Sequence, residues 1–356
     1  MQISREERTS LQPQTFRRDE IVAGNKFLRM IAAQVKAQRS GKPLAQVVAE
    51  CWPNDKILDM VVRSASNPAM TSVAGWAAEL MQKFVDDSLA ALAPMSAGAK
   101  TLQAGSVLIL TGRGQISAPG FTPAAGNAGF VAEGTPIPVK QLVATPAVLL
   151  PYKLAAIAAL TQEMIDSSNA ERMIGDALVA AAGMALDAVL FDSNPATAAR
   201  PAGLRNGIAA LTPSAQTDFF EAAIEDLATL MNAVAVVGGA GRYLFIAAPG
   251  RVIAAQARYA TDPSNIVTFL GTPAMGNDLM MVAANGLVSA LSPAPDIETS
   301  NAAALVMDDT SPGLPGTTGP ERSLFQTASV AIKMRWPVSW ALRSPSAVAW
   351  LTPTWK

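Results

Sequence analysis

The chain contains no histidine, and that absence removes more chemistry than any other feature. Without an imidazole there is no Ser-His-Asp triad, no Cys-His pair, no histidine metal ligand and no unperturbed titration near neutrality. Cysteine is nearly absent as well. Cys51 stands alone among 356 residues, so no intrachain disulfide forms. Its setting, Val47-Val48-Ala49-Glu50-Cys51-Trp52, predicts a buried structural thiol rather than a nucleophile. Charge is scarce at 15% and closely balanced, with 27 Lys plus Arg against 28 Asp plus Glu and a net charge of −1. Tight, direct DNA binding is therefore not expected, although a near-neutral surface can enclose DNA without gripping it. No long uncharged apolar run exists. Met173 to Phe191 carries Asp176 and Asp187, and Leu142 to Leu160 is broken by Pro146, Pro151 and Lys153. Neither matches the roughly 20 apolar residues of a spanning helix. The first residues, Ser4-Arg5-Glu6-Glu7-Arg8, hold no apolar signal core. A cytosolic chain with no membrane partner is the expectation.

What the chain does have is apolar bulk. Half of it is hydrophobic, mostly Ala, Val, Leu and Met, interrupted by 25 Gly and 25 Pro. A positive mean hydropathy is high for a solitary soluble protein. Such a chain is expected to bury much of its surface against other chains.

Along the chain, residues 1–20 are charge-dense and mixed in sign, which predicts a loosely docked arm. From Ile21 to Arg39, Phe27, Ile31 and Val35 recur at helical spacing, and Gly41-Lys42-Pro43 ends that helix. Further helices are predicted at Leu44–Cys51, Asp55–Ala65 and Val73–Leu92, the last with Trp76, Leu80, Phe84 and Leu92 inward. Val107 to Leu110 reads as a strand. The Gly- and Pro-dense stretch after it, with the strand-like Phe130–Gly134 and Val139–Leu150, predicts one long projecting hairpin with its base over 112–158. Thr161 to Phe191 is predicted as a long helix with Thr161 as N-cap and Ile174, Leu178, Ala181, Ala185, Ala188 and Phe191 on its buried face. After Pro201-Ala202-Gly203-Leu204 a second α+β unit is expected. It has helices at Phe219–Val234 and Val252–Ala260, and strands at Tyr243–Ala247, Leu279–Ala284 and Ala303–Met307. A Gly- and Pro-rich linker, 308–320, leads to strand alternation through Val330, Ile332, Met334 and Trp336, then Val338, Trp340 and Leu342.

Catalytic and cofactor motifs are weak. Gly112-Arg113-Gly114 lacks the Lys-Ser/Thr of a P-loop, and Gly238-Gly239-Ala240-Gly241 precedes a strand, the wrong order for a dinucleotide fingerprint. Asp86-Asp87 and Asp308-Asp309 lack the repeated spacing of a cation loop and read as solvated acids. Glu133 would suit a glycosidase acid only with a facing carboxylate, and a structural ion pair is the simpler reading. No cofactor, no metal and no catalytic residue is expected.

The middle of the chain resembles a known family. Gly129-Phe130-Val131-Ala132-Glu133-Gly134-Thr135-Pro136 resembles the aromatic-Val-x-Glu-Gly segment of Hong Kong 97-type major capsid proteins of tailed bacteriophages. Pro151-Tyr152-Lys153-Leu154 resembles the Pro-x-Lys-Leu step that follows, and Thr161-Gln162-Glu163-Met164-Ile165-Asp166-Ser167 the start of the family's spine helix. Pro201-Ala202-Gly203-Leu204, Leu324 to Arg335 and Arg343 to Val348 resemble the segments that come after it, in order, over about 105–351.

The resemblance implies an α+β fold: an N-terminal arm (1–105), an extended E-loop hairpin and its base (106–158), a peripheral domain with the spine helix (159–211), an axial domain (212–310), and returning peripheral strands (311–356). It implies a structural protein of the virion and no enzyme. Copies would self-assemble, in the bacterial host cytoplasm, into hexamers and pentamers of an icosahedral shell filled with double-stranded DNA. Portal, scaffolding and decoration proteins are the implied partners. Arg113, Phe130, Glu133 and Lys140 are the inter-subunit contact candidates. A Lys140–Asn301 isopeptide cross-link is conceivable, but nothing in the sequence places the carboxylate it needs, so none is expected. Two other readings stand beside this one. An encapsulin-like compartment would enclose a cargo enzyme, and an oligomeric carboxylate-dependent hydrolase would depend on Glu133.

Overall fold

Strand alternation near the C-terminus produces the longest strand of the molecule, and the rest of the main sheet is arranged around it. The computed structural model describes residues 26–55, 58–59, 62, 85–90, 92–110, 114–120, 130–131, 146–163, 170–259, 266–292, 295–306 and 321–355. The expected arm at 1–20, most of the helix over Val73–Leu92 and the linker 308–320 lie outside them, as do Arg113, Glu133 and Lys140.

Helices α1 (Lys26–Ser40) and α2 (Leu44–Cys51) come first, and α3 (Ala97–Ala104) leads into β1 (Ser106–Ile109). Short strands β2 (Ile116–Ala118) and β3 (Ala147–Leu149) pair antiparallel and form the base of the expected hairpin. Then come β4 (Tyr152–Thr161) and the spine helix α4 (Ala170–Leu190). The second α+β unit contains α5 (Phe219–Gly238), β5 (Tyr243–Ala247), α6 (Pro249–Tyr259), β6 (Val267–Gly271), β7 (Leu279–Ala283) and β8 (Leu287–Leu291). The remaining strands are β9 (Asp296–Ser300), β10 (Ala304–Val306), β11 (Glu321–Ser323), β12 (Ser329–Leu342) and β13 (Val348–Leu351). The mixture is the expected α+β class.

The main sheet runs β1-β8-β12-β4, with β9 also paired to β12. One edge of β12 is shared by β9, along Ala331–Arg335, and β8, along Val338–Leu342. Pro337 falls at the changeover. A proline has no N–H for a ladder, so mid-strand it is tolerated only where the ladder is interrupted. Here neither β8 nor β9 is paired with it. Ser292 N–H reaches the Pro337 carbonyl at 3.0 Å, and the Trp336 indole donates to the Ser292 carbonyl at 3.0 Å.

The second sheet runs β13-β7-β5-β6, with β5 and β6 parallel. Its strands β5 and β7 are buried on both faces. Alternation explains why. Leu244, Ile246, Met280 and Val282 enter the main core with the spine helix, whereas Phe245, Ala247, Met281 and Ala283 pack with α5 and α6. The two units therefore share one core. The tail divides between them, with β12 in the first sheet and β13 in the second, where a return to the first unit alone was expected.

Thr161 ends β4, opposite Ser329, and directly precedes helical Gln162 and Glu163, the position expected of a helix N-cap. Two further expectations are corrected. The spine's buried face is rotated from the expected one. Leu178, Val179, Ala182, Leu186 and Leu190 are inside, and Ala181, Ala185 and Ala188 are exposed. The larger Leu and Val side chains remove more apolar area from water than alanine does, and they set the helix's rotation. Cys51 is half-buried rather than buried, since it ends the short α2 beside the half-buried Trp52.

Candidate assembly surface

The outer surface carries large apolar side chains on several separate elements. Phe130 is fully exposed, with Val131 beside it. Met184 is exposed on the spine, Phe220 and Val236 on α5, Ile253 on α6, and Phe325 on the turn before β12. That turn is held by a left-handed residue, Ala328 at φ 44°, the only non-glycine with positive φ among the described residues. Such backbone is costly for a residue with a Cβ, and it sets the tight return that leaves Phe325 out and Leu324 in.

The most regular part of this surface is β4. Its burial alternates strictly, so Lys153, Ala155, Ile157, Ala159 and Thr161 line one exposed row, with Ile157 at 57% exposure. Leu154, Ala156, Ala158 and Leu160 pack inward on the main core. Beyond the row lies Glu163, whose carboxyl is held below its ordinary pKa by its own backbone N–H and then by the Thr161 hydroxyl.

Behind this surface the subunit is joined by buried polar clusters. Asp187, 4% exposed on the buried face of the spine, accepts four hydrogen bonds. They come from Ser96 Oγ (2.5 Å), the backbone N–H groups of Ala97 (3.1 Å) and Gly98 (2.8 Å), and Thr272 Oγ1 (2.8 Å). The N-terminus of α3 supplies both orphan amides and the positive end of its dipole to a carboxylate that has no ion-pair partner among the described residues. Close approach requires glycine at 98, where a Cβ would lie 2.7 Å from Asp187 Oδ1. Thr272 brings the second unit to the same carboxylate.

Arg205 makes a second joint. It pairs with Asp278, donates to the Phe191 carbonyl at 2.7 Å and stacks 5.0 Å over Trp350. Asp226, 1% exposed, takes the Ser214 N–H and the Trp355 indole, both at 2.7 Å, and so ties the chain's end to α5. Asp192 pairs with Arg200 at 2.6 Å. Burial pulls the Asp192 carboxyl upward, but hydrogen bonds from Arg200 and Asn194 outweigh it and hold the pKa below the usual carboxylate range.

Of the contact candidates read from the sequence, Phe130 is at the surface, while Arg113, Glu133 and Lys140 lie outside the described residues. Asn301 is exposed in the bend between β9 and β10. The β4 row and the Asp187 joint were missed. The one sequence signal for Asp187 was an acid in register with Leu186 and Leu190 on an apolar helix face. Its donors lie 85 to 91 positions away and gave no sign.

Exposed apolar side chains thus lie on the spine, the second unit, the turn before β12 and the β4 row, over buried polar joints. No protein-family model matches the chain. By sequence it is similar to a capsid polyprotein of Pseudomonas phage PAJU2, 31% identical over 252 residues, which cover 64% of this chain and 37% of that protein. The chain thus spans little over a third of that relative's length. Among solved structures it resembles a chain of Microbacterium phage Oxtober96, with a TM-score of 0.48 and 16% identity over 72% of this chain and 91% of the other. It also resembles a chain of the satellite phage P4 procapsid that includes the size determination protein, with a TM-score of 0.47 and 8% identity over 85% and 98%. Among the described residues no helix is long and apolar enough to cross a membrane.

Proposed function

We propose that this chain is the major capsid protein of a tailed bacteriophage. It self-assembles into hexamers and pentamers of an icosahedral shell that encloses packaged double-stranded DNA. The observation that carries the reading is the 252-residue similarity to a phage capsid polyprotein. The order of elements supports it: helical arm, hairpin base, long strand, spine helix, α+β unit and returning strands follow one another as the Hong Kong 97-type resemblance implies. In this reading the work of the protein is its contact surface and not a reaction. Residues 1–105 form the arm, 106–158 the E-loop and its base, 159–211 the spine region, 212–310 the axial domain and 311–356 the return, with β13 lent to the axial sheet. Arg113, Phe130, Glu133 and Lys140 are its hairpin contacts with neighbouring subunits. Portal, scaffolding and decoration proteins are its further partners, and the virion is its destination.

The test is electron microscopy and sizing of the purified chain. Closed particles of uniform diameter, or ring-shaped capsomers, are expected. A monomer or small dimer under all assembly conditions overturns the reading. Nuclease-protected DNA inside particles from infected cells supports a phage head, whereas an enclosed enzyme identifies a cargo compartment instead.

A further inference from the structure

Both sheets are completed by residues 329–355, and every partner of that segment described above precedes it in the chain. Strand β12 lies between β4 on one side and β8 and β9 on the other, and β4 pairs with neither of those. Without β12 the main sheet has no centre. The strand also fills the main core. Trp336 is the largest fully buried side chain among the described residues, and Val330, Ile332, Met334, Val338 and Trp340 join it in one cluster.

The second unit waits on the same tail. Domains ordinarily fold in the order of their synthesis, and three strands backed by helices can stand alone. Here β7, β5 and β6 lack backing on both faces until the tail arrives. On one face Leu244, Ile246, Met280 and Val282 enter the core that β12 completes. On the other, the cluster beneath α5 and α6 includes Ala347, Ala349, Leu351 and Trp355. Gly286 shows how closely that floor is fitted, since a Cβ there would collide with Ala347 and with Val237 of α5. Trp355 is a wedge between the two helices. Its ring stands edge-on to Phe219 of α5 at 5.1 Å and lies under Arg251 of α6 at 4.7 Å. Its indole donates to the buried Asp226 at 2.7 Å, and Arg251 donates to its carbonyl at 3.1 Å.

We infer that this topology is a completion check: neither unit folds until 329–355 has been made, so an unfinished copy is kept out of assembly. The second half of that statement rests on the self-assembly reading, and the first half does not. The net stability of a folded chain is small against the burial of so many apolar side chains, so a chain lacking them has no folded state to occupy. Copies made on one message lie close together, and contact surfaces formed early would join them before their tails existed. With the central strand placed late in the order, a copy offers folded contact surfaces only after β12 and the Trp355 wedge are in place.

The test follows the full chain through synthesis. Translation is stalled at Ser323, at Arg343 and at Lys356, each followed by a flexible spacer that carries the stall residue clear of the ribosome, and the nascent chains meet a protease. The 212–310 segment is expected to be cut about tenfold faster in the two shorter chains than in the longest. The stall at Arg343 separates the two parts of the tail, because that chain has β12 but lacks Ala347 to Trp355. A protected 212–310 segment in the chain stalled at Ser323 overturns the inference. Full protection at Arg343 overturns the role given to 347–355. A second measurement co-expresses the full chain with a copy ending at Arg343. The shorter copy is expected to be depleted about tenfold from assembled particles relative to its share of the soluble protein, and equal incorporation overturns the check. If the full chain forms no particles, the capsid reading fails, whereas protection that appears only with 344–356 still supports the folding order.

Discussion

Asp187 illustrates how much one residue can hold. Its carboxylate is the acceptor for two backbone amides, one serine and one threonine drawn from two separate segments. Asp187→Ala strands all four donors in a buried site, and each stranded group costs about 1–3 kcal/mol. Denaturant unfolding of the unassembled subunit should show a loss of at least about 3 kcal/mol, larger than that of Thr272→Ala, which removes one donor. Equal losses would mean that α3 does not depend on the carboxylate. Asp192 offers a pH readout with a definite sign. Its folded pKa lies below the ordinary carboxylate value, so its contribution is present above that value and lost as pH falls through the folded pKa. Arg200→Ala should therefore destabilise at neutral pH, and its difference from the parent chain should close in acid below about pH 4. A difference independent of pH would show that Arg200 acts by packing alone.

At the scale of elements, β12 decides the architecture, because it pairs with β4 along one edge and with β8 and β9 along the other. Where it tolerates proline follows from those ladders. Pro337 sits at the interruption, whereas Ile332 lies between Ala158 and Thr299 and by alternation donates its N–H to β4. Thermal unfolding should find Pro337→Ala within about 1 kcal/mol of the parent chain and Ile332→Pro worse by more than about 2 kcal/mol. Comparable losses would mean that Pro337 is structurally required. The sequence alternation at 330–342 was legible as strand, but its continuity through a proline was not, since that depends on what lies alongside. The spine helix was legible as a helix, but its rotation was not. Alanine fits either face, and the choice was made by Leu178, Leu186, Leu190 and the Asp187 joint.

At the scale of the molecule, the two sheets and the spine contribute to one shared cluster, so the subunit is expected to unfold as a unit before any contact with neighbours is counted. Assembly should add stability by mass action, because neighbours bind the folded chain and not the unfolded one. Calorimetry of assembled particles is expected to show a transition above that of the dissociated subunit. Coincident transitions would mean that the contacts contribute little. Exposed Ile157, Met184 and Phe325 should lose accessibility between those two states, which side-chain footprinting reads directly.

The amino-acid sequence by itself determined the α+β class, most described helices and the strands β1, β5, β7, β10 and β12 to within a few residues, the lack of histidine chemistry and the likeness to a capsid family. These are local or compositional properties, set by periodicity, turn residues and the kinds of side chain present. Tertiary structure alone decided that β1 runs parallel to β8, that the tail divides between two sheets, that Asp187 is a joint rather than a solvated acid, and that β4 is the last strand of the main sheet among the described residues. Each of those depends on partners tens to nearly two hundred positions away. Chain connectivity places no such limit on which segments meet, and only packing selects among them.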